Sequence, residues 1–403
     1  MNKLDRIEII RKRIVKNKTV FVRLLSDDLN VSQRTIRRDI KALCNDGVAI
    51  AFFGGAKLID KNTSSNFKST GINEIMEKLK YKNTSPLLKG ADKNTPIDVY
   101  VLGSFNVDIV STINKFPKVG QTVKSLSTEF HPGGKGSNQA TAASKVSENV
   151  HLTIKVGCDE FAEKARSYLS CTSISSFSIF ENADKPTGNA IIMISEHDKD
   201  NIISIDLGAN ETFVFQDLLS EFDNISQSRV FLTQLENNFD ITKLAIEYAW
   251  ACDDISTVML NPAPYHPGVI ELAPYVDIIT PNETEATDLS GILVNDIDSA
   301  KKAAKIIHSM GFGIVIITLG SNGCVYFDGD DFIHYKAYKA MVVDTVGAGD
   351  SFNGSLAASI AKNATVDNAI KYAMAFASLA VEREGASNMP EHDMVLNRLN
   401  LVL

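Results

Sequence analysis

The stretch "DTVGAGDSFNG", residues 344–354, places two glycines around an alanine, follows them at once with an aspartate, and runs on into the apolar "SLAASIA". Glycines that open a helix usually cradle an anion. The N–H groups of the first turn lack partners within the helix, and the helix dipole favours negative charge. Here a carboxylate, Asp350, stands where a phosphate would be received.

Outward from that turn, short apolar runs alternate with longer amphipathic ones from residue 97 onward. Strands are expected at "IDVYVLG", "VHLTIKVG", "NAIIMIS", "NIISID", "RVFLTQ", "STVMLN", "VDIITP" and "GIVIITLG". Helices are expected over residues 135–145, 239–251, 297–310, 351–361 and 365–382. That alternation predicts an α/β fold with a largely parallel sheet covered on both faces. Ligands of such sheets bind beyond the carboxyl ends of the strands, which directs attention to the residues following each strand.

A chain of 403 residues exceeds one ordinary domain. Its 44% hydrophobic and 22% charged content is that of a globular protein. It holds no apolar run of about 18 residues, which excludes a membrane-spanning helix. The opening "MNKLDRIEIIRKRIVKNK" is charged throughout, without the apolar core of a signal peptide. Cys44, Cys158, Cys171, Cys252 and Cys324 form no CxxC pair, the usage expected of reduced cytoplasmic thiols. Residues 1–60 carry an excess of Lys and Arg, the remainder an excess of Asp and Glu, and the whole sums to −8. A basic head on an acidic body points to a nucleic-acid module joined to something else. Residues 61–96, rich in Lys, Asn, Ser and Thr, have linker composition, with one short helix allowed at "INEIMEKLK". The second domain is expected to begin near Pro96.

The head reads as helix, turn, helix and hairpin, with Ser32 as an N-cap, Gly47 ending the second helix, and a turn at Gly54–Gly55. Ile36, Ile40 and Leu43 fall at i, i+4 and i+7, a core face. Arg34, Arg37, Arg38 and Lys41 fall on another face. Four cations along one face fit a helix that enters a DNA groove, while a solvated basic face is the alternative. The run "LLSDDLNVSQRTIRRDIKALCNDG…GGA" resembles the winged helix-turn-helix of DeoR-type sugar-operon repressors, over roughly residues 3–60. The resemblance implies contacts with double-stranded DNA from Gln33, Arg34, Thr35, Arg37, Arg38 and Lys41. Phe52 and Phe53 stand where that family commonly carries basic or histidine residues, and its usual sugar-sensing domain does not follow.

In the body, "HPGGKGSNQA" lacks the spacing of a nucleotide-binding P-loop, since Phe130 and Gly136 occupy the two diagnostic places. A glycine turn entering a helix is the plain reading. Asn106 and Asp108 in "VLGSFNVDIV" could bind adjacent hydroxyls, or form an Asx turn. Glu236 ends "LTQLE" as a sugar ligand or a surface carboxylate. Asn282 and Glu285 in "TPNETEA" suit Mg²⁺ held through water, or simple helix capping. Thr318, Gly320, Ser321 and Gly323 in "ITLGSNG" form a turn where a nucleotide could lie.

Taken in order, "GSFNVD", "GGKGSNQA", "TQLE", "NPAP", "VDIITPNETEA", "ITLGSNG" and "DTVGAGDSFNG" resemble ribokinases within the PfkB carbohydrate-kinase family, from about Ile97 to Leu403. The resemblance implies a Rossmann-like ribokinase fold with a small β-sheet lid, and an ATP-dependent kinase for D-ribose. It implies Asp350 as catalytic base, with the N–H groups of Gly347, Ala348 and Gly349 holding the transferring phosphoryl. Asn106, Asp108, Gly134, Lys135, Asn138 and Glu236 are implied sugar ligands. Asn282, Thr318, Gly320, Ser321 and Gly323 are implied ATP contacts, and Glu285 an organiser of Mg²⁺-bound water. A monovalent-cation site, usually K⁺, is implied at Asp344, Val346, Ala380, Arg383, Gly385 and Asn388, with Asn388 replacing the usual serine. Members of the family commonly dimerise through the lid, for which "QTVKSLSTEF", "NAIIMIS" and "NIISID" are candidates. Two alternatives stay open: a sugar-sensing regulator built on a kinase fold, and a kinase for a related pentose or nucleoside.

Overall fold

The computed structural model describes residues 3–17, 19–29, 31, 33–45, 48–52, 55–58, 87–89, 96–252 and 254–400. They form two compact units, Met1–Asn83 and Thr84–Leu403.

The first unit runs α1 (Lys3–Asn17), β1 (Thr19–Phe21), α2 (Val22–Leu29), α3 (Gln33–Asn45), β2 (Ala49–Phe52) and β3 (Gly55–Leu58). The expected helices and hairpin are present, and β1 adds a third antiparallel strand beside β3. Ile36, Ile40 and Leu43 of α3 are buried with Ile10 and Ile14 of α1 in a small core, as their spacing requires. Arg6 makes a bidentate ion pair with buried Asp39, locking α1 to α3. Ser32, Gly47, Gly54 and the possible helix at 72–80 lie outside the described residues, as do the side chains of Gln33, Arg34, Arg37 and Lys41.

The second unit opens with β4 (Leu87–Lys89), β5 (Ile97–Leu102), β6 (Asn106–Ile113), β7 (Ser125–Gly133), α4 (Lys135–Ser144), β8 (Val150–Gly157), α5 (Glu160–Cys171), β9 (Ser176–Asn182), β10 (Gly188–Ser195) and β11 (Asp200–Asp206). It continues through α6 (Phe215–Ser226), β12 (Ser228–Thr233), α7 (Phe239–Ala251), β13 (Thr257–Leu260), β14 (Ile278–Ile279), α8 (Glu283–Ser290), α9 (Ile297–Ser309) and β15 (Ile314–Thr318). It ends with β16 (Cys324–Phe327), β17 (Phe332–Tyr335), α10 (Ala348–Ala361), α11 (Val366–Ala380) and α12 (His392–Leu399).

One sheet has the order β17-β16-β15-β14-β13-β12-β5-β8-β9-β4, parallel from β15 to β9 and antiparallel at its margins. Apolar clusters bury both of its faces, which is why its central strands read as continuous hydrophobic runs. Its β4 edge strand lies inside the stretch read as linker, so residues 87–89 are part of the body rather than a tether. A second sheet, β11-β10-β6-β7, forms the lid from the three expected segments and β6. Asn106 and Asp108, expected just beyond a strand, lie at the start of β6 itself. Among the described residues no helix is long and apolar enough to cross a membrane.

Helices α4 and α10 meet where Gly354 faces the backbone of α4; a Cβ there would come within 2.1 Å of the Gln139 carbonyl oxygen. That close approach brings the start of each helix to the carboxyl edge of the sheet.

Candidate active site

Asp350 is buried in the first turn of α10. Gly347 caps that helix at φ 78°, a left-handed conformation in which a Cβ would also strike Ala386. Among the described residues no group accepts a hydrogen bond from the N–H of Gly347 or Gly349, whereas Ala348 N–H donates to Thr345 O at 3.2 Å. Of the three expected phosphoryl donors, two are therefore free and one turns onto its own loop. A Cβ on Gly349 would meet nothing within 4 Å, so the helix start opens onto empty space.

The Asp350 carboxylate is gripped from α4. Asn138 Nδ2 donates to Oδ2 and Gln139 Nε2 to Oδ1, each at 3.0 Å. Gln139 is itself locked, donating to Asn261 Oδ1 at 3.1 Å and accepting from Gln234 Nε2 at 2.6 Å. Asn261 Nδ2 donates to Thr280 O, Thr280 hydroxyl to Asn353 Oδ1, and Asn353 Nδ2 to Gly349 O. The network returns to the glycine turn and ties Asp350 and that turn into one rigid unit. Asn138 Oδ1 is buried without a partner among the described residues, a vacancy suited to a hydroxyl donor.

Around this centre Glu236 accepts from Ser104 hydroxyl and from Lys135 N–H. Burial raises its carboxyl, against the pull of Lys135. Burial alone would lower Lys135, but Asp350, Glu236 and Glu285 together leave it above its ordinary value. Asp108 packs against the Gly133 backbone, and burial, then Glu236, raise its carboxyl to about 6. Asn106, Asp108, Lys135, Asn138 and Glu236 thus share one neighbourhood, with Gly134 at φ 89° forming its floor against Phe105.

Asn282 and Glu285 form a reciprocal capping box at the start of α8: Asn282 N and Nδ2 donate to the two Glu285 oxygens, and Glu285 N–H donates to Asn282 Oδ1. Capping, the alternative reading, is their role in the fold. Each Glu285 oxygen keeps a lone pair, and burial raises the group. Thr318 N–H donates to Pro281 O, which places the β15 end and the turn carrying Gly320, Ser321 and Gly323 beside Asn282. No cluster of three or more His, Cys, Asp or Glu able to hold a metal ion occurs among the described residues.

Asp344 clamps two loops, accepting from Val346 N–H at 2.9 Å and Gly385 N–H at 3.0 Å. The segments with Val346 and Gly385 are thereby adjacent. The carbonyls of Ala380 and Gly385 accept from Arg383 and Asn388 N–H in local turns, and the exposed Asn388 amide donates to Glu384 O. Sequence reading missed Gln139, Asn261, Thr280, Asn353 and Asn210. Gln139 and Asn261 sit inside the quoted "GGKGSNQA" and "NPAP", which was the available signal.

Residues 97–393 match the family of pfkB carbohydrate kinases, and residues 6–62 match the DeoR-like helix-turn-helix domain. A ribokinase of Haemophilus influenzae is 33% identical over 300 residues, 74% of this chain and 97% of that protein. A deoxyribokinase of Salmonella typhi is 31% identical over 293 residues, 72% of this chain and 95% of that protein. The structure of an Arabidopsis thaliana ribokinase complexed with ribose and ATP superposes with a TM-score of 0.69 at 28% identity, covering 76% of this chain and all of that one (100%). These likenesses run through the lid, the sheet and the glycine turn alike, and the chain belongs to the pfkB family of carbohydrate kinases, with a DeoR-like helix-turn-helix domain ahead of the kinase.

Proposed function

We propose that the body phosphorylates D-ribose at O5 with ATP, giving D-ribose 5-phosphate and ADP, in the cytoplasm. The observation that carries this reading is the buried Asp350 carboxylate, held by two amides beside a helix start with free N–H groups. The O5 hydroxyl gives its proton to Asp350 as its oxygen attacks the γ-phosphorus. The bond from that phosphorus to the β–γ bridging oxygen breaks, and ADP departs. Such transfer needs positioning and charge neutralisation above all, which Gly347, Gly349 and Lys135 supply. Asn282, Thr318, Gly320, Ser321 and Gly323 take the nucleotide. Glu285 would hold Mg²⁺, and the ion would neutralise phosphate charge there. The loops joined by Asp344 offer oxygens from Val346, Ala380, Arg383, Gly385 and Asn388 to K⁺, which would stiffen the anion pocket. Relatives include both ribokinases and a deoxyribokinase, so the sugar is decided by assay. ADP release with Mg-ATP and K⁺ should be strong with D-ribose and weak with 2-deoxy-D-ribose; equal or reversed rates overturn the assignment.

Asp108 makes the sugar's binding depend on pH. Ionised, it accepts from two hydroxyls strongly; protonated, one oxygen becomes a donor and the other a weaker, uncharged acceptor. Ribose KM should therefore rise as pH falls through about 6, and the inflection should vanish in Asp108→Asn. Stability runs the other way. A carboxyl raised on folding contributes stability that is complete below its unfolded value and is lost as pH rises through about 6.

The DeoR-like head favours an added role: binding double-stranded DNA through Gln33, Arg34, Thr35, Arg37, Arg38 and Lys41, and regulating sugar-catabolic genes. A homodimer would suit a two-fold operator. The exposed Leu126, Phe130, Ile191, Ile202 and Ile205 of the lid support pairing through that sheet. Kinase and head are taken as separately folding domains, with the boundary before β4. Removal of residues 1–83 should leave ribose-dependent turnover largely intact and abolish DNA binding in a gel-shift assay; a collapsed kinase overturns the boundary.

A further inference from the structure

Asn210 is fully buried on the turn after β11, with its amide between backbone groups and Asn106. The Phe105 backbone N–H can only donate, so the Asn210 atom facing it at 3.1 Å is Oδ1. Asn210 Nδ2 then faces the carbonyls of Phe105 at 3.1 Å and Leu207 at 2.9 Å, which can only accept. The same Nδ2, its two hydrogens shared among three acceptors, meets Asn106 at 2.9 Å; an N–H₂ facing it there would only repel, so the Asn106 atom on that side is Oδ1. The direction of one backbone donor is thus passed through Asn210 to Asn106. Asn106 pairs in register with Gly188 on one side and Gly133 on the other. A Cβ on Gly188 would come within 2.2 Å of Asn106 Oδ1 and 2.4 Å of Asn210 Nδ2. No group among the described residues accepts from Asn106 Nδ2, and that end of the amide is left for the cleft.

We propose that Asn210 is a positioning residue that fixes the hydrogen-bond polarity of Asn106, so that Asn106 offers the sugar a donor and selects a pentose with an acceptor hydroxyl at that point. This rests on the reading of Asn106 as a sugar ligand. The selected hydroxyl accepts from Asn106 Nδ2 and sends its own proton to an acceptor. Asp108, two residues on along the same strand face, supplies one. A sugar lacking the hydroxyl leaves the Asn106 N–H without a partner, which is how a polar site rejects a deoxy analogue.

The test uses the full chain and the ratio of kcat/KM for D-ribose over 2-deoxy-D-ribose, in which any loss of folded enzyme cancels. Asn106→Ala should lower that ratio by about tenfold or more, the worth of a substrate hydrogen bond. Asn210→Ala should lower it toward the same value, and the double variant should match Asn106→Ala alone. Should Asn210→Ala be insoluble, Asn210→Asp, which keeps an acceptor for the Phe105 N–H but loses the donor that faces Asn106, is read in its place. An unchanged ratio in Asn106→Ala sinks the reading of Asn106 itself. A normal ratio in Asn210→Ala, or a further drop in the double variant, overturns the positioning role while leaving Asn106 as a ligand.

Discussion

Asp350→Asn should lower kcat with D-ribose by roughly 10²–10⁴, the usual worth of a positioned proton acceptor, while Tm stays near that of the parent. The second half of that expectation comes from the hydrogen-bond inventory. An amide in place of the carboxylate presents one donor to two groups that already donate. Gln139 cannot turn, because Asn261 and Gln234 hold both ends of its amide. Its Nε2 therefore keeps the oxygen of the new amide. Asn138 is different: its Oδ1 is buried without a partner among the described residues, so its amide can flip and accept from the new N–H. The flip exchanges one buried unmet acceptor, Asn138 Oδ1, for one buried unmet donor, Asn138 Nδ2, so the number of unmet groups, each worth about 1–3 kcal/mol, does not rise. The flip does reverse the atom that Asn138 shows the sugar, so ribose KM should rise modestly. Turnover by coupled assay, ribose affinity by calorimetry and Tm by scanning fluorimetry separate the three effects. Normal turnover would remove Asp350 from the chemistry; a large loss of Tm would remove the proposed flip.

The two halves of that argument were unequally legible in the sequence. Asp350 and its glycines occupy a few adjacent residues, and free N–H groups at a helix start are a local property that a short motif can declare. Gln139 and Asp350 lie 211 positions apart, and nothing local marks a glutamine as the holder of a distant carboxylate. Asn210 is similar, its role arising from contacts with Phe105 and Asn106 across the lid. The fold divided along the same line. Central strands such as "VHLTIKVG" are buried on both faces and read as apolar runs. β6 was hidden because Asn106 and Asp108 break the apolar pattern at its start. β9, "SFSIFEN", alternates with serines that are buried because His151 and Glu221 give them polar partners. The short α8 carries too few residues to show a helical period, so the sequence offered Asn282 and Glu285 both as a cap and as a Mg²⁺ pair without deciding between them.

Gly354→Ala should be damaging out of proportion to one methyl group. The new Cβ would lie 2.1 Å from Gln139 O, 2.8 Å from Ala142 Cβ and 3.0 Å from Ala143 N. Two of these neighbours are backbone atoms of α4, which cannot swing aside as a side chain can. The helices must separate, and overpacking of this kind typically costs about 1–3 kcal/mol, so Tm should fall. The same separation draws Asn138 and Gln139 away from Asp350, and a displacement of about 1 Å at a reacting group can cost roughly 10²-fold in rate. Gly349→Ala is the matched control, five residues earlier on the same helix. Its Cβ meets nothing within 4 Å, and its φ is not in the left-handed range, so the variant should fold with an unchanged Tm. Yet its methyl enters the space proposed for the phosphoryl group, beside a donor whose loss typically costs about 10²-fold or more, so kcat should fall without destabilisation. One substitution should thus harm fold and turnover together and the other turnover alone. If Gly349→Ala turns over normally, the open space at the start of α10 is not where the phosphoryl group is received. If Gly354→Ala keeps its Tm, the approach of α4 to α10 is looser than the geometry requires.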